Sequence, residues 1–238
     1  VQGDPPGYKA VVMAGGKGSR LRPLTHDIPK PLLPVGEKPI LETIVDQLAD
    51  SGIADIYLIT HYKAEMIEEH FARLNYPGCE LHFVYEAESL GTAGGLGLVR
   101  DELDSPFLVM NADIISRMSF KDMLRYHVDS GAQMTVATKI QEMKIPYGVV
   151  ETNGQGRIEA FVEKPSMYFT FNIGVYAVAP EVMDKVPRQG GMDMPDLIRD
   201  LIEADCAVNE YAVKDYWIDI GRMADYERAC EDIIANRL

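Results

Sequence analysis

The first half of the chain alternates short apolar segments with segments of helical periodicity, and this alternation constrains the fold more than any other feature. The order is strand 9–14, helix 39–51, strand 55–60, helix 63–74, strand 81–85, helix 92–99 and strand 106–110. Repeated strand–helix–strand units place parallel strands in one sheet with helices on its faces. The sequence therefore predicts an α/β fold with a doubly wound, mostly parallel mixed sheet.

The second half of the chain has a different rhythm. After a predicted helix at 119–130, four strand-like segments follow with turn residues between them, and a helix, a strand and a closing helix complete the chain. Such a run of strands predicts antiparallel additions to the sheet. The segments are strands 133–140, 147–151, 157–163 and 170–178, helix 195–204, strand 207–213 and helix 223–237. We expect a single domain over 1–238, with 1–7 as a tail.

The charge and the cysteine content exclude several classes of function. A net charge of −14 disfavours a nucleic acid polymer as partner, because phosphate backbones require a basic surface. No apolar run approaches the roughly 20 residues of a membrane helix, and the N-terminus does not resemble a signal peptide. Three widely spaced cysteines suit a reducing compartment and form neither a disulfide framework nor a zinc site. These features predict a cytoplasmic protein that binds no membrane.

A glycine-rich loop directly follows the first strand and carries basic residues. It reads Ala14-Gly15-Gly16-Lys17-Gly18-Ser19-Arg20. Glycines after a buried strand let backbone N–H groups approach a phosphate closely, and an arginine adds a bidentate phosphate donor. The loop matches neither the dinucleotide fingerprint, because Leu21 stands where a third glycine is needed, nor the P-loop. It predicts a phosphate site of another kind.

A proline-rich segment that contains Lys30 follows this loop. The run is Pro29-Lys30-Pro31-Leu32-Leu33-Pro34-Val35. The prolines stiffen the backbone and fix the direction of Lys30. A rigidly held lysine beside a phosphate loop can neutralise the charge that develops during phosphoryl or nucleotidyl transfer.

These two motifs together closely resemble the signature of the sugar-1-phosphate nucleotidyltransferases, most of all the guanylyltransferase branch. Further matches occur in the same order along the chain, and the resemblance covers about residues 8–237. They are Leu90-Gly91-Thr92-Ala93-Gly94-Gly95, Asn111-Ala112-Asp113, Tyr147-Gly148-Val149-Val150, Glu163-Lys164-Pro165 and Trp217-Ile218-Asp219-Ile220-Gly221. Ala112 departs from the glycine that is commoner in the family. The resemblance implies a Rossmann-like nucleotidyltransferase fold with a nucleotide-binding half at 8–130 and a sugar-phosphate-binding half at 131–238.

The resemblance also implies a reaction and its site residues. A sugar 1-phosphate would attack the α-phosphorus of an NTP, yielding an NDP-sugar and pyrophosphate, with Arg20, Lys30 and Lys164 as the catalytic cations. Asp113 and Asp219 would bind Mg²⁺, a hard cation that prefers carboxylate oxygens and bridges phosphates. Gly148, Glu163, Lys164 and Asn172 would bind the sugar phosphate. The nucleotide would be bound by Ala14, Gly15, Gly16, Gly18, Ser19, Arg20, Lys30, Glu86, Gly91 and Thr92.

The residue that would read the nucleotide base is Glu86, because similar enzymes use the side chain five residues before the glycine of Leu90-Gly91-Thr92. A carboxylate only accepts hydrogen bonds, and guanine offers two adjacent donors. This match favours GTP, although the single N–H of uracil or thymine leaves UTP and dTTP open. Glu88 is the alternative reader.

Two other classes of function compete with nucleotidyl transfer. A glycosyltransferase can share the sheet and a metal-binding aspartate, but it releases no pyrophosphate and has no use for Arg20 and Lys30 beside the glycine loop. A regulatory subunit that binds nucleotide without catalysis would not need both lysines and both aspartates. The identity of the sugar stays open among mannose, a heptose and an amino sugar. Similar enzymes often form homo-oligomers, and some carry an additional N-terminal module.

Overall fold

The computed structural model describes residues 7–235 and 237 and contains thirteen strands and six α-helices. Residues 1–6, most of the predicted tail, lie outside the described residues, as does residue 236 of the predicted last helix. The strands are β1 (Tyr8–Met13), β2 (Pro34–Val35), β3 (Lys38–Pro39), β4 (Ile53–Thr60), β5 (Glu80–Tyr85), β6 (Phe107–Asn111), β7 (Ile114–Ser116), β8 (Met134–Lys144), β9 (Val149–Thr152), β10 (Ile158–Val162), β11 (Ser166–Val178), β12 (Val208–Ala212) and β13 (Trp217–Asp219). The helices are α1 (Ile40–Asp50), α2 (Ala64–Phe71), α3 (Gly91–Gly94), α4 (Phe120–Ser130), α5 (Met194–Glu203) and α6 (Met223–Ile234).

The main sheet has seven strands in the order β12-β8-β11-β6-β1-β4-β5. The four strands β5, β4, β1 and β6 are parallel to one another. Strand β11 runs antiparallel to both of its neighbours, β6 and β8, whereas β12 is parallel to β8. A separate antiparallel hairpin joins β9 and β10. The prediction of a mostly parallel mixed sheet with antiparallel additions in the second half is therefore confirmed.

Helices cover both faces of this sheet because side chains alternate between the faces along each strand. Val12 and Leu58 belong to one apolar core together with residues of α1, α2, α4 and α6. Val11 and Ile59, their neighbours in sequence, belong to a second core together with residues of α5. This arrangement is the doubly wound architecture that the alternation in the first half predicted.

Two segments differ from the prediction. The predicted helix 92–99 consists of the short α3 and a 3₁₀ segment over Gly95–Glu102, with a non-helical residue at Val99. Gly91, Gly94, Gly95 and Gly97 explain the break, because glycine disfavours a continuous α-helix. Strands β8 and β11 also extend past the predicted ends into a long ribbon. The first five residues of β11 are exposed, as is β8 from Gln141 to Lys144, so neither end carries the apolar alternation that marks a half-buried strand.

The buried imidazole of His127 predicts a loss of stability in mild acid. His127 on α4 is 2% exposed, and its Nδ1 lies 2.9 Å from Thr135 Oγ1 on β8. Burial lowers the pKa of His127 below its ordinary value of 6.5. The unfolded chain therefore takes up the proton more readily, so the stability that neutral His127 provides is present above pH 6.5 and is lost as the pH falls below it.

We expect the free energy of unfolding of the wild type to fall, relative to a His127→Gln variant, by up to about 1.4 kcal/mol per pH unit below pH 6.5. Urea unfolding of both proteins at pH 7.5, 6.5 and 5.5 measures this difference. Equal slopes for the two proteins would contradict the assignment.

Candidate active site

A cleft of about 690 Å³ lies at the carboxyl ends of β1, β4 and β6, where doubly wound folds bind ligands. It is bordered by the glycine loop, by the segment after β5 and by residues that follow β6 and β13. The predicted site residues that line it are Ala14, Gly15, Gly16, Gly18, Ser19, Arg20, Lys30, Glu86, Gly91, Thr92, Asp113 and Asp219. The structure thus brings both predicted metal ligands and every predicted nucleotide-binding residue to one cavity.

The glycine loop is held at both ends and folds against Lys30. It leaves β1 where the Ala14 N–H donates to Ile59 O at 2.8 Å. Gly18 has a φ of +59°, which side chains disfavour, and Thr25 Oγ1 donates to Gly18 O at 2.9 Å. A β-carbon added at Gly18 would lie 2.7 Å from the β-carbon of Lys30. Glycine at this position therefore allows Lys30 to pack directly against the loop.

Lys30 is buried in an ion pair with Asp113. Its side chain is anchored by the 3₁₀ turn Lys30–Leu32, it is 9% exposed, and its Nζ lies 2.5 Å from Asp113 Oδ2. The second oxygen of Asp113, Oδ1, is buried and has no hydrogen-bond partner among the described residues. A buried carboxylate oxygen without a partner is costly, so Oδ1 is available to a cation.

Asp219 reaches Asp113 through a small two-stranded sheet. Strand β13 pairs antiparallel with β7 so that Asp219 lies opposite Ile114, and the Ile220 N–H donates to Asp113 O at 2.9 Å. Burial and the negative charge of Asp113 raise the pKa of Asp219 above its ordinary value of 3.8. Two neighbouring carboxylates, one of which has an oxygen with no hydrogen-bond partner among the described residues, form a donor set that fits a hard divalent cation such as Mg²⁺.

Arg20 lies at the same end of the cleft as the two aspartates. A β-carbon added at Gly221 would lie 3.4 Å from Asp219 Oδ1 and 3.8 Å from Arg20 Nη2. Gly221 therefore keeps open a space that the guanidinium of Arg20 and the carboxylate of Asp219 both border. Arg20 itself is exposed, so its donors face the open cleft.

A second group of potential metal ligands lies far from this cleft. Among the described residues, Asp55, Glu80 and His82 have ligand atoms within 4.8 Å of one another. They occupy the beginnings of β4 and β5, the edge of the sheet opposite to the cleft. His82 Nε2 lies 2.8 Å from Asp55 Oδ1, and its ring stacks on Tyr57. The hydrogen bond and the stacking account for this group without an ion.

Glu86 lies inside the cleft, whereas Glu88 does not line it. Glu86 is 4% exposed, and its Oε1 accepts a hydrogen bond from the Leu90 N–H. A β-carbon added at Gly15 would lie 2.6 Å from Glu86 Oε2, so the carboxylate closely approaches the glycine loop. Glu88 is exposed. Of the two candidate base readers, only Glu86 borders the space that the glycine loop encloses.

Asn172 borders a smaller cavity of about 390 Å³ next to the cleft, and the two cavities share Thr92, Asn111 and Asp219. Asn172 Nδ2 donates to Tyr176 Oη at 2.7 Å, and Asn172 Oδ1 accepts from the Gly174 N–H at 2.8 Å. Both ends of the amide are thereby held in place.

The other three predicted sugar-phosphate residues, Gly148, Glu163 and Lys164, lie together at the open end of the β9–β10 hairpin, and they line neither cavity. Lys164 Nζ lies 3.9 Å from Glu163 Oε1, and the two side chains are 67% and 61% exposed. A β-carbon added at Gly148 would lie 3.0 Å from Glu163 Oε2. The sequence motifs thus converge on one exposed cluster, and its role in binding the sugar phosphate stays a prediction.

The predicted site residues do not include five polar residues that line the cleft, namely Lys17, His61, Ser89, Asn111 and Asp193. His61 Nδ1 lies 2.7 Å from Glu86 O, directly after β4. Asn111 is the last residue of β6, and Asp193 is the residue before α5. In the sequence, Asp193 has the pattern of an ordinary helix cap before Met194-Pro195, and this pattern indicates no ligand.

Comparison with known proteins assigns the chain to a family. It matches the family model of nucleotidyl transferases over residues 9–236. It is 37% identical to mannose-1-phosphate guanyltransferase of Schizosaccharomyces pombe over 92% of this chain and 62% of that protein. It is 33% identical to UTP–glucose-1-phosphate uridylyltransferase of Synechocystis sp. over 97% of this chain and 64% of that protein.

A solved structure agrees with this assignment. The crystal structure of HddC from Yersinia pseudotuberculosis has a TM-score of 0.74 and 27% identity, covering 95% of this chain and 99% of that one. The same protein has been crystallised in complex with GMP-PN. This chain therefore belongs to the nucleotidyl transferase family. It spans about 62% of the length of the guanyltransferase it matches. In the part of the chain that the structure describes, no helix has the length and apolarity to span a bilayer.

Proposed function

We propose that this protein transfers a nucleoside monophosphate from an NTP to a sugar 1-phosphate and releases pyrophosphate. The observation that carries the proposal is the meeting of Lys30, Asp113 and Asp219 beside the glycine loop in one cleft. Anionic and cationic groups converge there as the binding of a triphosphate together with a cation requires. Because NTPs are available in the cytoplasm, the reaction is assigned to that compartment.

The reaction needs neither a covalent intermediate nor a general base, because the sugar phosphate is already an anionic nucleophile. Its oxygen forms a bond to the α-phosphorus while the bond from that phosphorus to the oxygen bridging to the β-phosphate breaks, and pyrophosphate leaves with the bond electrons. Catalysis then consists of positioning and charge neutralisation. Arg20 and the loop N–H groups bind the departing pyrophosphate, Lys30 lies beside the α-phosphate, and Lys164 binds the sugar phosphate.

Asp113 and Asp219 would hold the metal ion, for which Mg²⁺ is the best fit. Asp113 Oδ1 is buried without a hydrogen-bond partner among the described residues, and Asp219 approaches the same space, so the two carboxylates fit a cation between them. When bound, Mg²⁺ supplies charge neutralisation on the triphosphate oxygens. Lys30 contributes a second positive charge from the protein itself, since its ammonium already pairs with Asp113 Oδ2.

GTP is the proposed nucleotide and mannose 1-phosphate the first sugar phosphate to test. The buried carboxylate of Glu86 matches the two adjacent donors of guanine. The guanyltransferase names of several relatives and the GMP-PN complex of HddC support the same choice. The uridylyltransferase relative keeps uridylyl transfer to glucose 1-phosphate as the second candidate.

The decisive test is release of pyrophosphate from each NTP in combination with each of several sugar 1-phosphates, at a range of Mg²⁺ concentrations. We expect release that requires both substrates and the metal, and that is fastest with GTP. Transfer of a sugar without pyrophosphate would favour a glycosyltransferase. Nucleotide binding with no release from any pair would favour a regulatory subunit.

A Glu86→Gln variant is expected to reduce the preference for GTP over UTP by about tenfold or more, because the amide offers only one acceptor to the two donors of guanine. The substitution is isosteric, and its remaining oxygen can still accept the hydrogen bond from the Leu90 N–H. The ratio of kcat/KM for GTP to kcat/KM for UTP measures the effect.

Glu88→Gln is the matched control for this experiment, because Glu88 is exposed two residues away. It should leave the ratio of the two kcat/KM values unchanged. If Glu88→Gln changes this ratio and Glu86→Gln does not, Glu86 is not the residue that reads the base.

A further inference from the structure

Asp193 stands at the N-cap position of α5, yet its carboxylate does not cap that helix. Its Oδ1 instead accepts hydrogen bonds from the backbone N–H of Thr92 at 3.0 Å and from Thr92 Oγ1 at 3.3 Å. Thr92 precedes Asp193 by 101 residues and is the second residue of α3. An aspartate in this position normally binds the free N–H groups of its own helix. Here it binds one N–H and one hydroxyl, both of Thr92, in a helix of the other half of the chain.

The exchange between the two helix ends is reciprocal. Thr92 Oγ1 accepts a hydrogen bond at 2.8 Å from the N–H of Met194, the first residue of α5. Met192 O accepts from the N–H groups of Ala93 and Gly94 at 2.9 Å each, and the Met192 N–H donates to Leu90 O at 2.8 Å. Each helix therefore receives its N-terminal cap from the other segment. We call these contacts between Leu90–Gly94 and Met192–Met194 the crossed cap.

Close packing fixes the geometry of the crossed cap. Gly91 has a φ of +78°, and a β-carbon added there would lie 2.6 Å from Met192 O and 2.7 Å from Asp193 Oδ1. A β-carbon added at Gly94 would lie 2.9 Å from the nitrogen of Met192. Only glycine at these two positions allows the segments to approach this closely, so the contact depends on Gly91 and Gly94.

The crossed cap lies between the two cavities of the site. Thr92 borders both the 690 Å³ cleft and the 390 Å³ cavity that contains Asn172. Asp193 borders the cleft, whereas Met194 and Pro195 border the smaller cavity. On the cleft side, the N–H of Leu90 donates to Glu86. Two sets of hydrogen bonds, joined by the peptide bond between Met192 and Asp193, therefore link the wall of the smaller cavity to the proposed base reader.

We propose that Asp193 and Thr92 are positioning residues that couple the binding of the sugar phosphate to the binding of the nucleotide. This inference rests on the proposed function, which places the nucleotide in the cleft. The inference itself places the sugar in the smaller cavity, which Asn172 borders. A ligand that fixes Met194 and Pro195 also fixes Thr92 and, through Leu90, the carboxylate of Glu86. Linkage requires the effect to be equal in both directions.

The test is to measure the affinity for α,β-methylene GTP by calorimetry in the presence of Mg²⁺, with and without mannose 1-phosphate. The methylene bridge between the α- and β-phosphorus of this analogue cannot be cleaved, so no transfer takes place. For the wild type we expect the sugar phosphate to tighten nucleotide binding by about fivefold or more. Thr92→Val and Asp193→Ala should bring this factor close to one. Both variants should also raise the KM for GTP by about tenfold, the effect of losing hydrogen bonds to a charged group, with a smaller change in kcat.

Two further variants separate positioning from general loss of structure. Thr92→Ser retains the hydroxyl and should therefore retain the coupling between nucleotide and sugar phosphate. Asp196→Ala removes a carboxylate from the same turn of α5, where Asp196 pairs with Arg199 at 2.9 Å and borders neither cavity, and should behave as the wild type. Because the Asp193 side chain makes no hydrogen bond to its own helix, the melting temperature of the Asp193→Ala protein should stay within a few degrees of the wild-type value.

A coupling factor of one in the wild type, or wild-type coupling in Thr92→Val, would overturn the inference. Failure of the proposed function gives a different result. If the wild type releases pyrophosphate from none of the tested pairs of NTP and sugar 1-phosphate, the transferase assignment is wrong. The positioning role of Asp193 is then tested by the binding of α,β-methylene GTP alone. Weaker binding to Asp193→Ala than to the wild type supports this role, and equal binding overturns it.

Discussion

Replacement of Lys30 by methionine is expected to lower kcat for pyrophosphate release by about 10²–10³-fold, the range for loss of one charge-stabilising donor. The ammonium of Lys30 is 2.5 Å from Asp113 Oδ2 and borders the cleft beside the glycine loop. Its buried positive charge therefore lies in the cleft to which the triphosphate is assigned. Methionine keeps an unbranched apolar stem, one atom shorter than lysine, and removes the charge. Steady-state kinetics with GTP and mannose 1-phosphate measure the effect.

Lys38→Met provides the matched control. Lys38 lies in the same region of sequence, but its Nζ pairs with Asp46 at 2.5 Å, and its side chain is 53% exposed outside the cleft. This variant should retain wild-type kcat. A Lys30→Met protein with kcat within about threefold of the wild type would place the catalytic charge elsewhere, because one lost donor costs far more than this.

The second large effect is expected at the two carboxylates. Asp113→Asn and Asp219→Asn should each lower kcat/KM by about 10³-fold, because a metal that loses one of two protein carboxylates loses several kcal/mol of charge stabilisation, at 1.4 kcal/mol per factor of ten. The double variant should be little worse than either single variant, since the two residues act as a unit. Pyrophosphate release over a series of Mg²⁺ concentrations, with Mn²⁺ binding followed by electron paramagnetic resonance, tests both points.

The stability of the Asp219 variant should change in the opposite direction from its activity. Burial and Asp113 raise the pKa of Asp219, so the folded protein holds this proton more tightly than the unfolded chain. The resulting stabilisation is complete below pH 3.8, the ordinary pKa, and is lost as the pH rises through the raised pKa. Near neutral pH the ionised carboxylate therefore destabilises the metal-free protein, and Asp219→Asn should melt at a higher temperature.

Addition of Mg²⁺ provides the complementary measurement. It should raise the melting temperature of the wild type, because a ligand that binds only the folded state stabilises it, and it should have little effect on Asp219→Asn. Asp184→Asn serves as the control, since Asp184 is 92% exposed and borders none of the cavities described above. If Asp219→Asn melts at a lower temperature and retains the Mg²⁺ response, Asp219 is not a ligand.

The local sequence was sufficient to predict the architecture and the part of the site that comprises the glycine loop, Lys30 and Asp113. The alternation of apolar and helical segments predicted the doubly wound sheet, since the periodicity of side chains is a property of each segment by itself. The glycine loop after β1, the rigid presentation of Lys30 and the position of Asp113 after β6 follow from the same local patterns. Each of these features lies within a few residues of the strand or turn that positions it.

The tertiary structure alone decided which distant groups meet. Asp219 reaches Asp113 through the pairing of β13 with β7, and Glu86 rather than Glu88 turns into the cleft. Asp193 has the pattern of a cap for its own helix, but it binds Thr92 across 101 residues. Contacts of this kind depend on the order of strands in the sheet and on close packing between the two halves. The periodicity of a single segment does not predict these contacts. A local pattern specifies which face of an element is buried, but it does not specify which elements pack against that face.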